Sequence, residues 1–129
     1  MTREQKAVRA LFIKLKRSSR QTFPTPGGKL TAPSRKGVYV IYKPRGKVAH
    51  VGSTPRAKGG IAQRLRNHLA ALSSFTIQYL KRDGSKLRGK YKFSSIVIGD
   101  PRRRALVEAY AIGHLCPAHI GLGQLAKAA

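Results

Sequence analysis

Apolar side chains recur at helical spacing near the start of the chain. One side of a helix over residues 2–17 would carry Val8, Leu11, Phe12 and Leu15, with basic residues around them. This pattern predicts a short amphipathic helix. Residues 20–36 contain three prolines and a Gly-Gly pair, so we expect an extended basic arm there rather than regular structure.

The pattern changes at residue 37 to alternating β-branched and aromatic positions. The runs GVYVIY and VAHVG are separated by KPRGK, which predicts a β-hairpin. Pairing Tyr42 with Lys47 across the turn would place Tyr39 opposite His50, on the face shared by Val48. After a loop over residues 53–60, an apolar stripe predicts a second helix, formed by Ile61, Leu65, Leu69 and Leu72.

The second half of the chain predicts one more strand and one more helix. Asp83-Gly84 stands between two short basic segments, which indicates a protruding basic hairpin over residues 76–92. FSSIVIGD reads as a third strand. Asp100 can then cap a helix over residues 101–115 that begins with Pro101. The fold class expected is α+β, with a small three-stranded antiparallel sheet flanked by helices.

The net charge of the chain restricts its possible functions more than the predicted fold class does. The 129 residues include 27 Lys or Arg and 4 Asp or Glu, a formal charge of +23, so a polyanionic partner is expected. The charge runs from Arg3 to Lys127 between aromatic residues, which suits nucleic acid better than a membrane patch. With no long apolar run and no secretory h-region, we expect a cytoplasmic protein. The single cysteine, Cys116, excludes an internal disulfide and a Cys-rich zinc site.

Acidic residues are scarce enough to consider one by one. They are Glu4, Asp83, Asp100 and Glu108. Glu4 lies near the N-terminus, while Asp83 suits a turn and Asp100 a helix cap. Glu108 shares an arc of its helix with apolar residues, which places it against the core or in a cleft. An ion pair with Arg104, one turn earlier, is an equally good interpretation.

Two further pairs are candidates for chemistry. Arg64 and His68 are one turn apart at the edge of the apolar stripe, although an arginine there is often a solvated side chain. Tyr39 and His50 would be a proton-handling pair if they lie side by side. A strand tyrosine is, however, usually a core residue.

The order of these residues resembles the GIY-YIG nuclease superfamily. The resemblance covers residues 37 to about 120 and rests on Gly37-Val38-Tyr39, His50-Val51-Gly52-Ser53, Gln63-Arg64-Leu65 with His68, and Glu108 within a helix after a third strand. It departs at His50, where the family usually has tyrosine, and at Pro117-Ala118-His119, where it usually has asparagine after proline. It divides the chain into a basic helix and arm, residues 1–36, and a nuclease-like domain, residues 37–129.

The resemblance implies a role for each matching residue. Glu108 would hold one divalent ion, Mg²⁺ or Mn²⁺, and Arg64 would bridge phosphate oxygens. Tyr39 would orient or deprotonate the attacking water, with its pKa lowered by nearby cations. His50 and His68 would position these groups or relay the proton, and His119 would contact phosphate.

The function expected is a metal-dependent DNA endonuclease, comparable to small free-standing phage-type or restriction enzymes. The alternative is a non-catalytic nucleic-acid-binding protein on a decayed nuclease scaffold. Specificity would come from the arm, the 76–92 segment or a homodimer. A toxin-like nuclease of this charge would have an acidic inhibitor protein as a further partner. The DNA-binding candidates are Arg35, Lys36, Lys58, Lys81, Arg82, Lys86, Arg88, Lys90 and His119.

Overall fold

The computed structural model describes residues 1–54 and 58–121 of the chain. Its elements, in chain order, are α1 (Arg3–Arg17), β1 (Gln21–Thr22), β2 (Gly37–Tyr42), β3 (Val48–Ser53), α2 (Gly60–Leu69), α3 (Ser74–Gln78), a 3₁₀ helix (Gly84–Leu87), β4 (Lys92–Val97) and α4 (Pro101–Leu115). The strands form one antiparallel sheet in the order β1-β4-β2-β3. The predicted α+β class is therefore confirmed.

Strand β2 lies inside the sheet, and every one of its six residues is buried. Val38 and Val40 pack into a cluster with α1 and α4. Tyr39 and Ile41 point to the other face, where they pack against α2, Phe75 and the residues that follow. Alternate residues of the strand point to opposite faces. Because protein covers both faces, apolar residues are favoured at every position, which the continuous run GVYVIY provides.

Helices α1 and α4 begin where the sequence predicts. Thr2 caps α1 with a capping box that includes Gln5, and Asp100 caps α4 by accepting from the N–H of Arg103 at 2.7 Å. Each cap satisfies a backbone N–H that the helix itself leaves unpaired. Cys116 adopts a left-handed conformation and ends α4. None of the helices in the described ranges is long and apolar enough to cross a bilayer.

The arm over residues 20–36 contains a short strand, so the sheet has four strands instead of the three predicted. Gln21 and Thr22 pair with Phe93 and Lys92 and add a fourth strand. Phe23 is 1% exposed, and its ring centroid lies 5.0 Å from that of Phe93. Burial of this aromatic side chain and the backbone bonds of Phe23 with Tyr91 and Gly89 hold the start of the arm against the sheet, which the local proline-rich composition does not reveal.

The prediction of a protruding basic hairpin over residues 76–92 is wrong. That segment contains the end of α3 and the 3₁₀ helix, and Leu80 and Leu87 are buried in the core on the Tyr39 side of the sheet. Asp83 accepts from the N–H of Ser85 and caps the 3₁₀ helix instead of forming a hairpin turn. The two leucines decide the outcome because a protruding hairpin would leave both in water.

The β2–β3 register also differs from the prediction. Tyr39 pairs with Gly52, and His50 pairs with Ile41. A bulge follows, after which Tyr42 pairs with Val48, so Val48 packs on the α1–α4 side instead of sharing the face of His50. An extra residue in one strand breaks the alternation of side chains, and the sequence carries no clear mark of it.

The second helix is confirmed but is shorter than its apolar stripe suggests. Helix α2 ends at Leu69, and Leu72 lies beyond it with 71% of its surface exposed. Part of the predicted loop before α2, residues 55–57, lies outside the described residues, as do residues 122–129.

We predict that Phe23→Ala lowers the free energy of unfolding by about 3–5 kcal/mol, because it removes a buried aromatic ring and leaves a cavity. Urea denaturation measures this, with Gln21→Ala as the control on the exposed neighbouring strand, expected to change stability by less than about 0.5 kcal/mol. Equal small effects of the two substitutions would contradict the docking of the arm.

Candidate active site

Tyr39 lies at the centre of the candidate site and has no exposed surface. Its side chain lies over Gly52 on the neighbouring strand, and a Cβ added to Gly52 would clash with the tyrosine ring and hydroxyl. The hydroxyl oxygen is 2.6 Å from Nε2 of His68 on α2. Glycine at position 52 therefore makes the room that lets this phenol reach the helix.

His68 is fully buried and hydrogen-bonded at both ring nitrogens. Nδ1 lies 2.6 Å from the hydroxyl oxygen of Ser73. That hydroxyl lies 3.2 Å from Oγ1 of Thr76, and Thr76 in turn donates to the backbone carbonyl of His68 at 2.6 Å. The pKa of His68 lies well below its usual value, and burial is the largest cause. Electrostatic interactions with His50, Arg64 and His119 lower it further. The ring is therefore neutral in this setting.

Arg64 lies one helical turn before His68 and is only partly exposed. Its Nε is buried and has no hydrogen-bond partner among the described residues. The Arg64 charge acts on the ionisation of Tyr39 and Glu108. Burial of Nε on a partly exposed side chain also fits the snorkelling arginine considered from sequence, whose stem is buried while its charged end reaches water.

Glu108 projects from α4 toward the same group of side chains and is half-buried. Ser53 at the end of β3 donates its hydroxyl to Oε1 of Glu108 at 3.0 Å. Burial raises the pKa of this carboxyl, while Ser53 and Arg64 act in the opposite direction. The alternative pairing with Arg104 does not form, since the buried Arg104 donates to the carbonyls of Ile98 and Gly99.

His50 belongs to a second hydrogen-bonded chain. Its Nδ1 lies 3.1 Å from Nδ1 of His119, whose Nε2 lies 2.7 Å from the side-chain oxygen of Gln78. The ring of His50 stacks on Phe75 with centroids 4.9 Å apart. Burial, with His119 and Arg64 adding to it, lowers the pKa of His50 to about 3, so His50 is neutral near physiological pH.

His119 owes its place to the backbone that follows α4. The N–H groups of Ala118 and His119 donate to the carbonyls of Val48 and Ala49 at 3.1 and 2.9 Å. The segment thereby lines the outer edge of β3, and His119 is 7% exposed. Contact of His119 with phosphate stays a prediction, and it would have to coexist with the bonds to His50 and Gln78.

The predicted proton pair of Tyr39 and His50 is replaced by Tyr39 and His68. The Tyr39 and His50 ring centroids are 6.2 Å apart, whereas the Tyr39 hydroxyl bonds His68 directly. The expected direction of the Tyr39 pKa is also reversed. Burial raises it to about 12, outweighing the lowering by Arg64, because a phenolate inside the fold lacks hydration.

The structure brings five of the predicted residues into one electrostatic neighbourhood, Tyr39, His50, Arg64, His68 and Glu108. Most basic candidates lie on exposed surface instead, namely Arg35, Lys36, Lys58, Lys81, Arg82, Lys86 and Lys90. Arg88 is half-buried and donates to the carbonyl of Thr25 at 3.4 Å. Arg35, Lys36 and Lys58 flank the beginning of α2, where the N–H of Ile61 donates to the carbonyl of Arg35.

Sequence reasoning missed the polar side chains that hold the site residues. Ser53, Ser73, Thr76 and Gln78 all bond directly or at one remove to a candidate residue. Ser73 did carry a readable signal, since a serine before Phe75 and Ile77 is typical of a helix N-cap. Nothing in the sequence marks its second contact, with His68.

The donor atoms present suit a hard cation at one carboxylate. Glu108 has one oxygen bonded by Ser53 and a second with no hydrogen bond to the described residues. No cluster of three or more His, Cys, Asp or Glu side chains with metal-binding geometry occurs in the described part of the chain. A Mg²⁺ or Mn²⁺ ion at Glu108 would therefore need water and substrate oxygens as its remaining ligands, which Mg²⁺ commonly uses.

The chain matches no family model, no curated protein and no solved structure.

We predict that Gly52→Ala displaces the Tyr39 ring and separates its hydroxyl from His68. Overpacking of this kind should lower the free energy of unfolding by about 1–3 kcal/mol. Chemical denaturation and the NMR shifts of the Tyr39 ring measure the two effects. The matched control is Gly113→Ala on α4, where an added Cβ meets nothing within 4 Å and stability should hold or rise. Unchanged Tyr39 shifts in the Gly52 variant would refute the close approach.

Proposed function

We propose that this protein is a metal-dependent DNA endonuclease that resembles the GIY-YIG nucleases. The observation that carries the proposal is the buried Nε of Arg64, which has no hydrogen-bond partner within residues 1–54 and 58–121. Arg64 shares its electrostatic surroundings with Glu108 and the Tyr39–His68 pair. A buried donor left without an acceptor is costly. An anionic oxygen from a substrate would satisfy it.

A phosphodiester is the anion that best suits Arg64 and its setting. A guanidinium presents Nε–H and Nη–H as a planar fork that matches two phosphate oxygens. The chain carries a formal charge of +23, so a long polyanion such as DNA is favoured over a small isolated phosphate. Arg64 would hold the scissile phosphate and stabilise the charge that develops on it.

Tyr39 and His68 supply the proton acceptor for water. The Tyr39 hydroxyl oxygen lies 2.6 Å from Nε2 of His68, so transfer of the phenol proton to the imidazole would leave a phenolate that can take a proton from an attacking water. The raised pKa of Tyr39, about 12, and the lowered pKa of His68 both oppose this transfer. The Arg64 charge favours the phenolate at Tyr39 and disfavours the imidazolium at His68. The imidazolium formed at His68 would return its proton to Tyr39 as Tyr39 passes the proton taken from water to the leaving oxygen, which restores both groups.

Glu108 would hold the divalent ion, whose chemistry is to neutralise charge on the phosphate and its leaving oxygen. Ser53 fixes one oxygen of that carboxylate at 3.0 Å and leaves the other for the ion. His50 and His119 position the wall of the site from the side of β3. Exposed residues beside α2 and on the 76–92 segment, including Lys58 and Lys86, contact the DNA backbone.

A second candidate is a non-catalytic nucleic-acid-binding protein. Its specific support is the condition of Tyr39, which has no exposed surface and a pKa raised to about 12. In that function Arg64 binds phosphate and the Tyr39–His68 bond only stabilises the fold. Incubation of the purified protein with supercoiled plasmid and Mg²⁺, with and without EDTA, separates the two functions. Nicking or linearisation that EDTA abolishes supports the nuclease, and binding without cleavage supports the alternative.

We predict that Glu108→Gln reduces plasmid cleavage by about 10²-fold or more, because the ion loses its carboxylate ligand, while DNA affinity is retained. Cleavage assays and a binding titration on the same preparations measure both. Glu4→Gln is the control, since Glu4 is the other glutamate and lies in an exposed ion pair with Arg102. Cleavage by the Glu108 variant at the rate of the control would overturn the assignment.

We predict that Arg64→Lys also loses most cleavage, by about 10-fold to 10²-fold, although the charge is conserved. Lysine cannot present two parallel donors to one phosphate. Arg66→Lys, two residues along α2 and exposed, is the matched control and should cut nearly as well as the unmodified protein. If both variants keep full activity, Arg64 does not clamp the phosphate.

A further inference from the structure

The hydrogen bonds around His68 have a single consistent direction, which begins at Thr76. Oγ1 of Thr76 lies 2.6 Å from the backbone oxygen of His68. A carbonyl oxygen can only accept, so Thr76 donates its one hydroxyl proton there. Any other hydrogen bond to Oγ1 must be one that it accepts.

Ser73 is the next group and has its own proton committed. Its hydroxyl oxygen lies 3.2 Å from Oγ1 of Thr76, which can only accept, so Ser73 is the donor. The same oxygen accepts the backbone N–H of Thr76 at 3.2 Å. Ser73 therefore has no proton left for the imidazole and can only accept from it.

His68 must then carry its proton on Nδ1. That nitrogen is 2.6 Å from the Ser73 oxygen and is the only remaining donor in the contact. A neutral imidazole has one N–H, and burial keeps His68 neutral by lowering its pKa. Nε2 is consequently bare, and the Tyr39 hydroxyl 2.6 Å away donates to it.

We propose that Ser73 and Thr76 are positioning residues that fix His68 as the Nδ1–H tautomer, so that its Nε2 is always ready to receive the proton of Tyr39. The tautomer assignment stands on these contacts and on the complete burial of His68, whereas its consequence for catalysis rests on the proposed nuclease function. Thr76 acts without touching the ring, through the single proton that it requires Ser73 to donate.

The test is Thr76→Val, which keeps the shape of the side chain and the backbone N–H that Ser73 caps. The Ser73 proton then has no acceptor on residue 76 and can turn to Nδ1 of His68, which moves the histidine proton to Nε2. Thr76→Ser restores the hydroxyl and is the matched control. Long-range ¹⁵N–¹H NMR of histidine-labelled protein reports which nitrogen of His68 is protonated, without any substrate.

We expect the unmodified protein and the Thr76→Ser variant to show Nδ1–H almost wholly, and the Thr76→Val variant to show a mixture or Nε2–H. In plasmid cleavage, Thr76→Val should lower kcat by about 10-fold or more with little change in KM, and Thr76→Ser should recover it. Urea denaturation of all three proteins shows whether the folded population is equal at the assay temperature.

Two results would overturn the proposal. Protonation of His68 on Nε2 in the unmodified protein contradicts the direction of the whole chain, and an unchanged tautomer in Thr76→Val contradicts control by Thr76. If the tautomers behave as expected but no variant and no unmodified protein cuts DNA, the nuclease function fails and the tautomer assignment stands. If DNA is cut and Thr76→Val cuts normally despite an altered tautomer, the positioning role is refuted.

Discussion

Burial of β2 on both faces is the constraint that the rest of the structure follows. The strand is hydrogen-bonded to β3 on one side and β4 on the other. Both of its faces are packed against the core, so its side chains contact only protein. A polar group placed on such a strand has to find its partner inside the fold. Tyr42 bonds Ser94 at 3.0 Å on one face, and Tyr39 bonds His68 on the other.

The same burial determines the electrostatic character of the candidate site. Loss of hydration raises the pKa of Tyr39 and Glu108 and lowers that of His50 and His68, so each shift favours the neutral form. Arg64 remains as the permanent positive charge among them. Tyr39, His50 and His68 thus add no charge beside Arg64, and Glu108 is the one acidic side chain of the group. A bound phosphate would give the Arg64 cation a second negative partner.

The elements that could be predicted are those marked by apolar periodicity and by helix-capping residues. The α1, α2 and α4 helices, the hairpin and the third long strand follow from apolar spacing and from residues such as Asp100, because these signals are local. The arm and the 76–92 segment could not be predicted, since Phe23, Leu80 and Leu87 are isolated apolar residues whose burial depends on distant parts of the chain. The turn and the bulge together move His50 from a place opposite Tyr39 to a place opposite Ile41, and neither has a local mark. For the site, motif order named Tyr39, His50, Arg64, His68 and Glu108, which lie in one neighbourhood. It did not predict the bond between Tyr39 and His68 or the serine, threonine and glutamine partners.

The short helix α3 links both histidine chains of the site. Its cap Ser73 and its residue Thr76 hold His68, and its last residue, Gln78, bonds His119, which in turn bonds His50. A helix of five residues has little stability of its own, so its position depends on Phe75, which is fully buried and lies against His50, His68 and His119. One apolar anchor thus sets the orientation of two polar networks. Any displacement of α3 would therefore be felt at His68 and His50 together, although they lie on different secondary-structure elements.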